Sequence, residues 1–150
     1  MKSTSEITSS LSDAGLKITP QRIVVLEAVM ELKNHPTAEN IIDFIKTKHP
    51  NIATGTVYKT LETFVEKGLI KKVKTDRDIM RYDAITDPHH HLYSSATDRI
   101  EDFFDPELLK IIVKYFETHK IPNFKIEDIK LQIIGEFLTG KKSNQQKTTL

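Results

Sequence analysis

The order of predicted elements in the first half of the chain constrains the fold more than any other feature. A weakly amphipathic segment over residues 3–14 stops at Gly15, and three helices with apolar residues at helical spacing follow it. Two short strands over residues 69–74 and 79–84 then flank a polar turn. Three helices followed by a β-hairpin is the order of a winged helix-turn-helix, which we therefore predict for this half.

The three helices carry recognisable start and stop signals. Thr19 is a predicted N-cap with Pro20 in the first helical position, where proline is well tolerated. Thr37 caps the next helix in the same way. The last helix covers residues 53–67 and ends before Gly68, so signals at the ends agree with the apolar spacing between them.

The second half of the chain has a different pattern. Residues 92–94 and 99–104 are predicted strands around a turn, and residues 106–119 form a predicted amphipathic helix. Residues 124–138 alternate apolar and polar side chains, which predicts one long strand. We therefore predict an α+β protein with an N-terminal winged helix-turn-helix and a C-terminal α/β domain. The predicted parts are a winged-helix domain at 1–83, a hinge at 84–88, a second domain at 89–138 and a disordered tail at 139–150.

Composition excludes several classes of protein. With no cysteine, the chain cannot use disulfides, thiol catalysis or thiolate metal sites, so any metal must bind to His, Asp, Glu or backbone groups. A hydrophobic fraction of 38% is typical of a soluble globular protein. No stretch approaches the roughly 20 apolar residues that span a bilayer, and the N-terminus has no signal-peptide core, so we expect a cytoplasmic protein without a membrane partner. The net charge of +1 neither favours nor excludes nucleic acid.

The last predicted helix and the hairpin carry side chains suited to DNA. The outward face of the helix has hydroxyls, an aromatic ring and lysines, which can contact phosphates, base edges and thymine methyl groups. The hairpin adds basic residues for the flanking backbone. The candidate DNA-binding residues are Thr54, Thr56, Tyr58, Lys59, Lys72 and Arg77. A solvated helix face beside an ordinary basic hairpin would give the same pattern.

Three sequence motifs resemble the ferric uptake regulator (Fur) family. Residues 55–61 (GTVYKTL) resemble its recognition helix, residues 16–22 (LKITPQR) the start of its second helix, and residues 35–38 (HPTA) the start of its third. Order and spacing match over roughly residues 10–136. The resemblance implies a metal-dependent transcriptional repressor rather than an enzyme, and a homodimer that binds a palindromic, AT-rich operator in double-stranded DNA.

One residue departs from the recognition helix of the family. The family commonly places Ser where this chain has Ala53, whose methyl group cannot accept a hydrogen bond. We therefore expect Thr54 to take over as the N-cap, at some cost in helix stability.

The resemblance also implies a regulatory metal site. The peroxide-sensing branch of the family has its ligands at positions that here hold three imidazoles and two carboxylates: His35, Asp83, His89, His91 and Asp102. His89 and His91 lie two apart, so on a strand both rings point to one face, whereas His90 points to the other, towards solvent or behind the ligands. The donor set suits Fe(II) or Mn(II) and also admits Zn(II) in vitro. From the residues alone, a polar loop or an adventitious metal-binding cluster remains an alternative.

Asp102 favours the peroxide-sensing branch, because the iron-uptake sensors of the family typically have Glu at the matching position. For that branch, the resemblance implies that bound Fe(II) reacts with hydrogen peroxide and that His35 or His89 becomes 2-oxo-histidine, which releases the metal and the DNA. A cysteine sensor is impossible without a thiol. The alternative is an iron, manganese or zinc homeostasis repressor of the same family without peroxide sensing.

The structural zinc site of the family is missing from this chain. Most members hold that zinc with two C-x-x-C pairs, and here Ser94 and Thr97 stand at the first pair, and Phe137 and Gly140 at the second. Small domains often need a disulfide, a structural metal or oligomerisation for stability, and an apolar dimer interface is the natural replacement for the zinc here. We therefore expect no structural zinc and a homodimer that packs through the 106–119 helix and the long strand.

Two other classes compete with a metal-dependent repressor. A small metallohydrolase could use the same His and Asp residues, but five protein ligands leave little room for the water and substrate of a catalytic site. Assays of generic ester and phosphate substrates would reveal it. A metal-independent winged-helix protein would instead bind DNA equally with and without a chelator.

Overall fold

The structure, a computed structural model, describes residues 3–84 and 89–138. The chain divides into two compact units, Met1–Asp87 and Pro88–Leu150. The predicted tail and most of the predicted hinge lie outside the described residues. No helix in the described ranges has the length and apolar character needed to cross a membrane.

In its described part, the first unit contains four helices and a two-stranded antiparallel sheet. Its elements are α1 (Thr4–Asp13), α2 (Pro20–Glu31), α3 (Ala38–Lys48), α4 (Thr54–Glu66), β1 (Lys71–Lys74) and β2 (Met80–Asp83). The predicted helices and hairpin are confirmed, with ends that differ by up to a few residues. In the hairpin, Lys71 pairs with Asp83 and Lys74 with Met80.

Side-chain caps begin α2 and α3 where the sequence predicts them. The hydroxyl of Thr19 accepts a hydrogen bond from the backbone N–H of Arg22. Thr37 and Asn40 form a reciprocal capping box at the start of α3. Each cap satisfies N–H groups that have no partner inside the helix, so these boundaries follow from local chemistry.

Helix α4 begins without a side-chain cap. Ala53 is the N-cap residue, and no side chain accepts a hydrogen bond there. Thr54 is already the first helical residue, so the prediction that it takes over as the cap was wrong. The start of α4 therefore lacks the stabilisation of about 1 kcal/mol that a Ser cap provides.

One apolar cluster packs the helices of the first unit together. Leu26 of α2, Ile41 of α3 and Leu61 of α4 lie fully buried in it. Val57 and Phe64 of α4 join them, so the apolar residues at helical spacing form the buried face of this helix. Because these residues anchor one face of α4 in the core, its opposite face is available to a ligand.

Among the residues described, the second unit contains a three-stranded sheet and one helix. Its elements are β3 (His90–Ser94), β4 (Arg99–Phe103), α5 (Pro106–Thr118) and β5 (Gln132–Ile134). The strand order is β4–β3–β5, with β3 antiparallel to β4 and parallel to β5. Asp105 caps α5 by accepting hydrogen bonds from the N–H groups of Glu107 and Leu108.

The single long strand predicted over residues 124–138 was wrong. Within that range only Gln132–Ile134 form a strand, which pairs with residues 91–93 of β3. A strand persists only where neighbouring backbone accepts and donates hydrogen bonds, and β3 offers β5 three paired positions. Residues 124–131 are mostly exposed, so their alternation does not reflect one face packed on this unit.

Candidate metal centre and nucleic-acid interface

His35 and Asp83, both in the first unit, form a buried pair. The His35 Nε2 and Asp83 Oδ2 atoms are 3.6 Å apart, and 5% of each residue is exposed. Burial of a carboxylate is costly unless a cation or a donor faces it. The imidazole of His35 faces the carboxylate here, and a bound cation would offset the cost of its burial more strongly.

Backbone contacts explain why these two residues meet. The N–H of Tyr82 in β2 donates to the carbonyl of Pro36 at 2.9 Å, and the guanidinium of Arg81 donates to the carbonyl of His35 at 3.0 Å. His35 has a φ of 59°, in the left-handed region that histidine enters more readily than most residues. The hairpin thus carries Asp83 alongside the segment that leads into α3.

His89, His91 and Asp102 form a second group, in the second unit. His91 and Asp102 are paired across β3 and β4, and His89 precedes His91 by one strand period. Asp102 Oδ1 lies 3.2 Å from His89 Nε2 and 3.5 Å from His91 Nε2. The two Nε2 atoms are 3.2 Å apart. Three donor atoms therefore converge on one point, and we call these residues the triad.

The triad has the dimensions of part of a metal shell. Donors about 2.1 Å from one ion, at tetrahedral or octahedral angles, lie about 3.0–3.5 Å from one another. All three distances within the triad fall in that range. Two imidazole nitrogens and one carboxylate oxygen are also donors that first-row divalent metals accept. The residues therefore fit a bound ion, and the five candidate ligands form a pair in one unit and the triad in the other.

His90 lies on the other face of β3, as predicted, and of the two expected positions, towards solvent or behind the ligands, it has the buried one. Only 3% of it is accessible, and its ring centroid is 6.5 Å from that of Phe103. Burial lowers the pKa of His90, which favours the neutral imidazole. His90 thus supports the strand from behind while its neighbours hold the donor atoms.

Phe104 is a residue of this site that the sequence analysis missed. Its ring centroid is 5.1 Å from that of His89, at an interplanar angle of 30°. Phe104 follows Asp102 by two positions, and the strand period of two could have placed it on the same face. The aromatic ring gives the imidazole an apolar neighbour that limits its rotation.

Other contacts form at or near the positions of the missing cysteine pairs. The guanidinium carbon of Arg99 lies 4.2 Å from the centroid of the Phe137 ring, and Arg99 also forms an ion pair with buried Glu101. Ser94 is buried, and Gly140 lies outside the described residues. A cation–π contact therefore links the segment after β5 to β4.

The candidate DNA-binding residues lie in the first unit, on α4 and the hairpin. The four on α4, Thr54, Thr56, Tyr58 and Lys59, are exposed, and so is Arg77 in the turn between the strands. Lys72 of β1 is only partly exposed, and its Nζ lies 3.0 Å from Glu62 Oε1. Glu62 is a second residue that the sequence analysis did not single out. It lies on α4, one turn beyond Tyr58.

Solved structures of regulators share this fold. The ferric uptake regulator of Pseudomonas aeruginosa with manganese superposes with a TM-score of 0.74 at 23% identity, covering 89% of this chain and 98% of that one. The Campylobacter jejuni peroxide stress regulator gives 0.69 at 22% identity, covering 94% and 100%. The predicted fold class, a winged helix-turn-helix followed by an α/β domain, is therefore confirmed.

Sequence comparison identifies the family. The peroxide operon regulator of Bacillus subtilis is 34% identical to this chain over 130 residues, which cover 87% of this chain and 88% of that protein. The profile of the ferric uptake regulator family matches residues 13–134. The chain therefore belongs to the ferric uptake regulator family of transcription regulators, and it is similar to peroxide regulators within that family.

Proposed function

We propose that this protein is a metal-dependent transcriptional repressor that senses hydrogen peroxide. The observation that carries the proposal is the triad, whose three donor atoms lie 3.2–3.5 Å from one another, as donors around one ion do. The Bacillus subtilis relative is named a peroxide operon regulator, which supports hydrogen peroxide as the stimulus.

One ion would bind the triad together with the His35–Asp83 pair. Three imidazole nitrogens and two carboxylate oxygens then surround it, a set that suits Fe(II) and Mn(II) and admits Zn(II) in vitro. The pair and the triad belong to different units, so a shared ion would restrain one unit against the other. Metal would thereby favour the arrangement that fits DNA, and DNA would tighten metal binding reciprocally.

The exposed face of α4 would read the operator. Thr54, Thr56, Tyr58 and Lys59 offer hydroxyls, an aromatic ring and a cation to the major groove, while Lys72 and Arg77 would contact the flanking backbone. A two-fold dimer presents two such helices, which fit half-sites about 34 Å apart. The operator would therefore be palindromic, and its AT-rich character is proposed from the family resemblance alone.

We propose that α5 forms the dimer interface, without a structural zinc. In the described part of the chain no residue of α5 is buried, and Ile111 is 66% exposed. An apolar helix face of this kind is stable in water when a second copy covers it.

A chelator is expected to leave the homodimer intact, because the chain has no cysteine that could bind a structural zinc to stabilise the dimer. Ile111→Lys is expected to shift the population to monomer, since it places a charge in an apolar interface. Sedimentation equilibrium measures both, with exposed Lys114→Glu on the same helix as the control. A dimer that EDTA dissociates would contradict the proposal.

Metal should control DNA binding. Fluorescence anisotropy on a duplex selected from a random pool is expected to show binding with Mn(II) or Fe(II) and at least about tenfold weaker binding after chelation, because coupling energies between sites are commonly of this size. Tyr58→Ala and Lys59→Ala should weaken binding in the metal-loaded protein. Equal binding with and without chelator would identify a metal-independent winged-helix protein, and binding that requires metal but ignores peroxide would identify a metal-homeostasis repressor.

A further inference from the structure

Glu62 places a negative charge in the middle of the proposed DNA-reading helix. It lies one turn beyond Tyr58 on α4, and its side chain is 55% exposed. Glu62 Oε1 is 3.0 Å from Lys72 Nζ on β1. The recognition helix and the wing hairpin are therefore joined by an ion pair on the side of the first unit that would face DNA.

Glu62 neutralises the charge of Lys72 in the protein without DNA. The hydrogen bond to the Glu62 carboxylate raises the pKa of Lys72, because the carboxylate favours the charged ammonium form. Lys72 is the partner of Tyr82 in the hairpin register, and Tyr82 is buried, so the base of the lysine stands on a fixed part of the hairpin. A phosphate that binds Lys72 must compete with a carboxylate already within hydrogen-bond distance.

We propose that Glu62 restrains sequence-independent DNA binding by competing with phosphates for Lys72. This inference rests on the proposed DNA-binding function. Phosphate contacts supply nearly all of the affinity for non-specific DNA, whereas an operator adds contacts to base edges. Loss of one cation from phosphate binding therefore removes a larger fraction of the binding free energy for non-specific DNA than for the operator. This difference helps a repressor dissociate from non-specific sites.

The expected change in DNA affinity follows from the solvent exposure of the Glu62–Lys72 ion pair. An exposed ion pair of this kind shifts an equilibrium by up to roughly fivefold. Glu62→Gln keeps the side-chain shape and removes the charge. It is expected to tighten binding to a random-sequence duplex by roughly two- to fivefold and to steepen the dependence of log affinity on log salt by about one.

The experiment measures binding of the Mn(II)-loaded dimer to a random-sequence duplex by anisotropy at several salt concentrations. Four proteins form a double-mutant cycle: the parent, Glu62→Gln, Lys72→Gln and the double variant. The gain from Glu62→Gln should fall below about twofold in the Lys72→Gln background, because the competition needs the lysine. Glu66→Gln, which removes an exposed charge from the same helix, is the control and should change binding by less than Glu62→Gln does.

The outcomes separate the explanations. An equal gain with and without Lys72 would mean simple repulsion between Glu62 and DNA, and weaker binding by Glu62→Gln would mean that the pair positions the wing; either result overturns the proposal. If the parent binds duplex and Glu62→Gln matches it, this inference alone fails. If the parent binds no duplex with any metal, the proposed function fails with it. Urea unfolding of each variant checks that the fold is unchanged.

Discussion

Replacing Asp102 with alanine is expected to weaken Mn(II) binding by more than about 100-fold, which exceeds the loss usual for residues that only support a ligand. Its Oδ1 lies 3.2 Å from His89 Nε2 and 3.5 Å from His91 Nε2, so one oxygen serves the same point as both imidazoles. Without it, only two imidazole rings of the triad face the cation and no carboxylate of the triad balances its charge. Isothermal titration calorimetry with Mn(II) measures the change.

Two matched variants make this test decisive. His119→Ala removes an exposed imidazole that stacks on Tyr115, outside both groups of candidate ligands, and should bind Mn(II) like the parent. His35→Ala should weaken binding as well if the pair in the first unit completes the shell. Loss in Asp102→Ala with no loss in His35→Ala would confine the site to the triad. Parent-like affinity in Asp102→Ala would mean that the triad does not hold the metal.

Local signals explain how much of the fold was predictable. The caps at Thr19 and Thr37 act within one turn of the chain, so their residue types alone announce the starts of α2 and α3. Ala53 shows the limit of that reasoning. The absence of a capping side chain suggested a neighbour as a substitute, but Thr54 is already helical and supplies no cap.

Predicting the site required information at two levels. The spacing of His89 and His91 gives a shared strand face from the period of two. Their approach to Asp102 depends on the register of β3 and β4, which pairs His91 with Asp102 and which spacing alone does not reveal. The approach of His35 to Asp83 depends on hydrogen bonds from β2 to the segment around Pro36, a long-range contact that no local pattern reveals and that only the family resemblance indicated.

The predicted long strand failed for a related reason. Alternation over 124–138 reports which side chains share a face, but strand length is set by the partner, and β3 pairs with three residues only. For His90, the pattern left open whether the ring faces solvent or lies behind the ligands. Its opposite-face position follows from the period of two, while its burial comes from packing near Phe103, which no pattern within β3 announces.

Hydrogen peroxide is expected to inactivate the Fe(II) form by oxidising His35 or His89. Bound Fe(II) would supply the reducing centre at which peroxide is activated. In the net reaction, one peroxide adds one oxygen atom to the imidazole ring and leaves as one water, and two electrons pass from the ring to the peroxide. The resulting 2-oxo-histidine would be a poorer ligand, so the metal and then the DNA would be released. Peptide mass spectrometry should find a gain of about 16 Da on these residues, together with loss of the anisotropy signal.

The Mn(II) form is the matched control, because the same ligands then hold an ion that does not reduce peroxide in this way. It should keep its histidines unmodified and stay on DNA at the same peroxide dose. Exposed His119 should remain unmodified in both forms, since free oxidant in solution would attack it at least as readily as His89, whose side chain is only 3% exposed. Equal oxidation in the Mn(II) and Fe(II) forms would show that the chemistry is not tied to the site. DNA release without any modified histidine would mean that peroxide acts by oxidising the metal ion itself, because unmodified His35 and His89 would still be able to bind a metal.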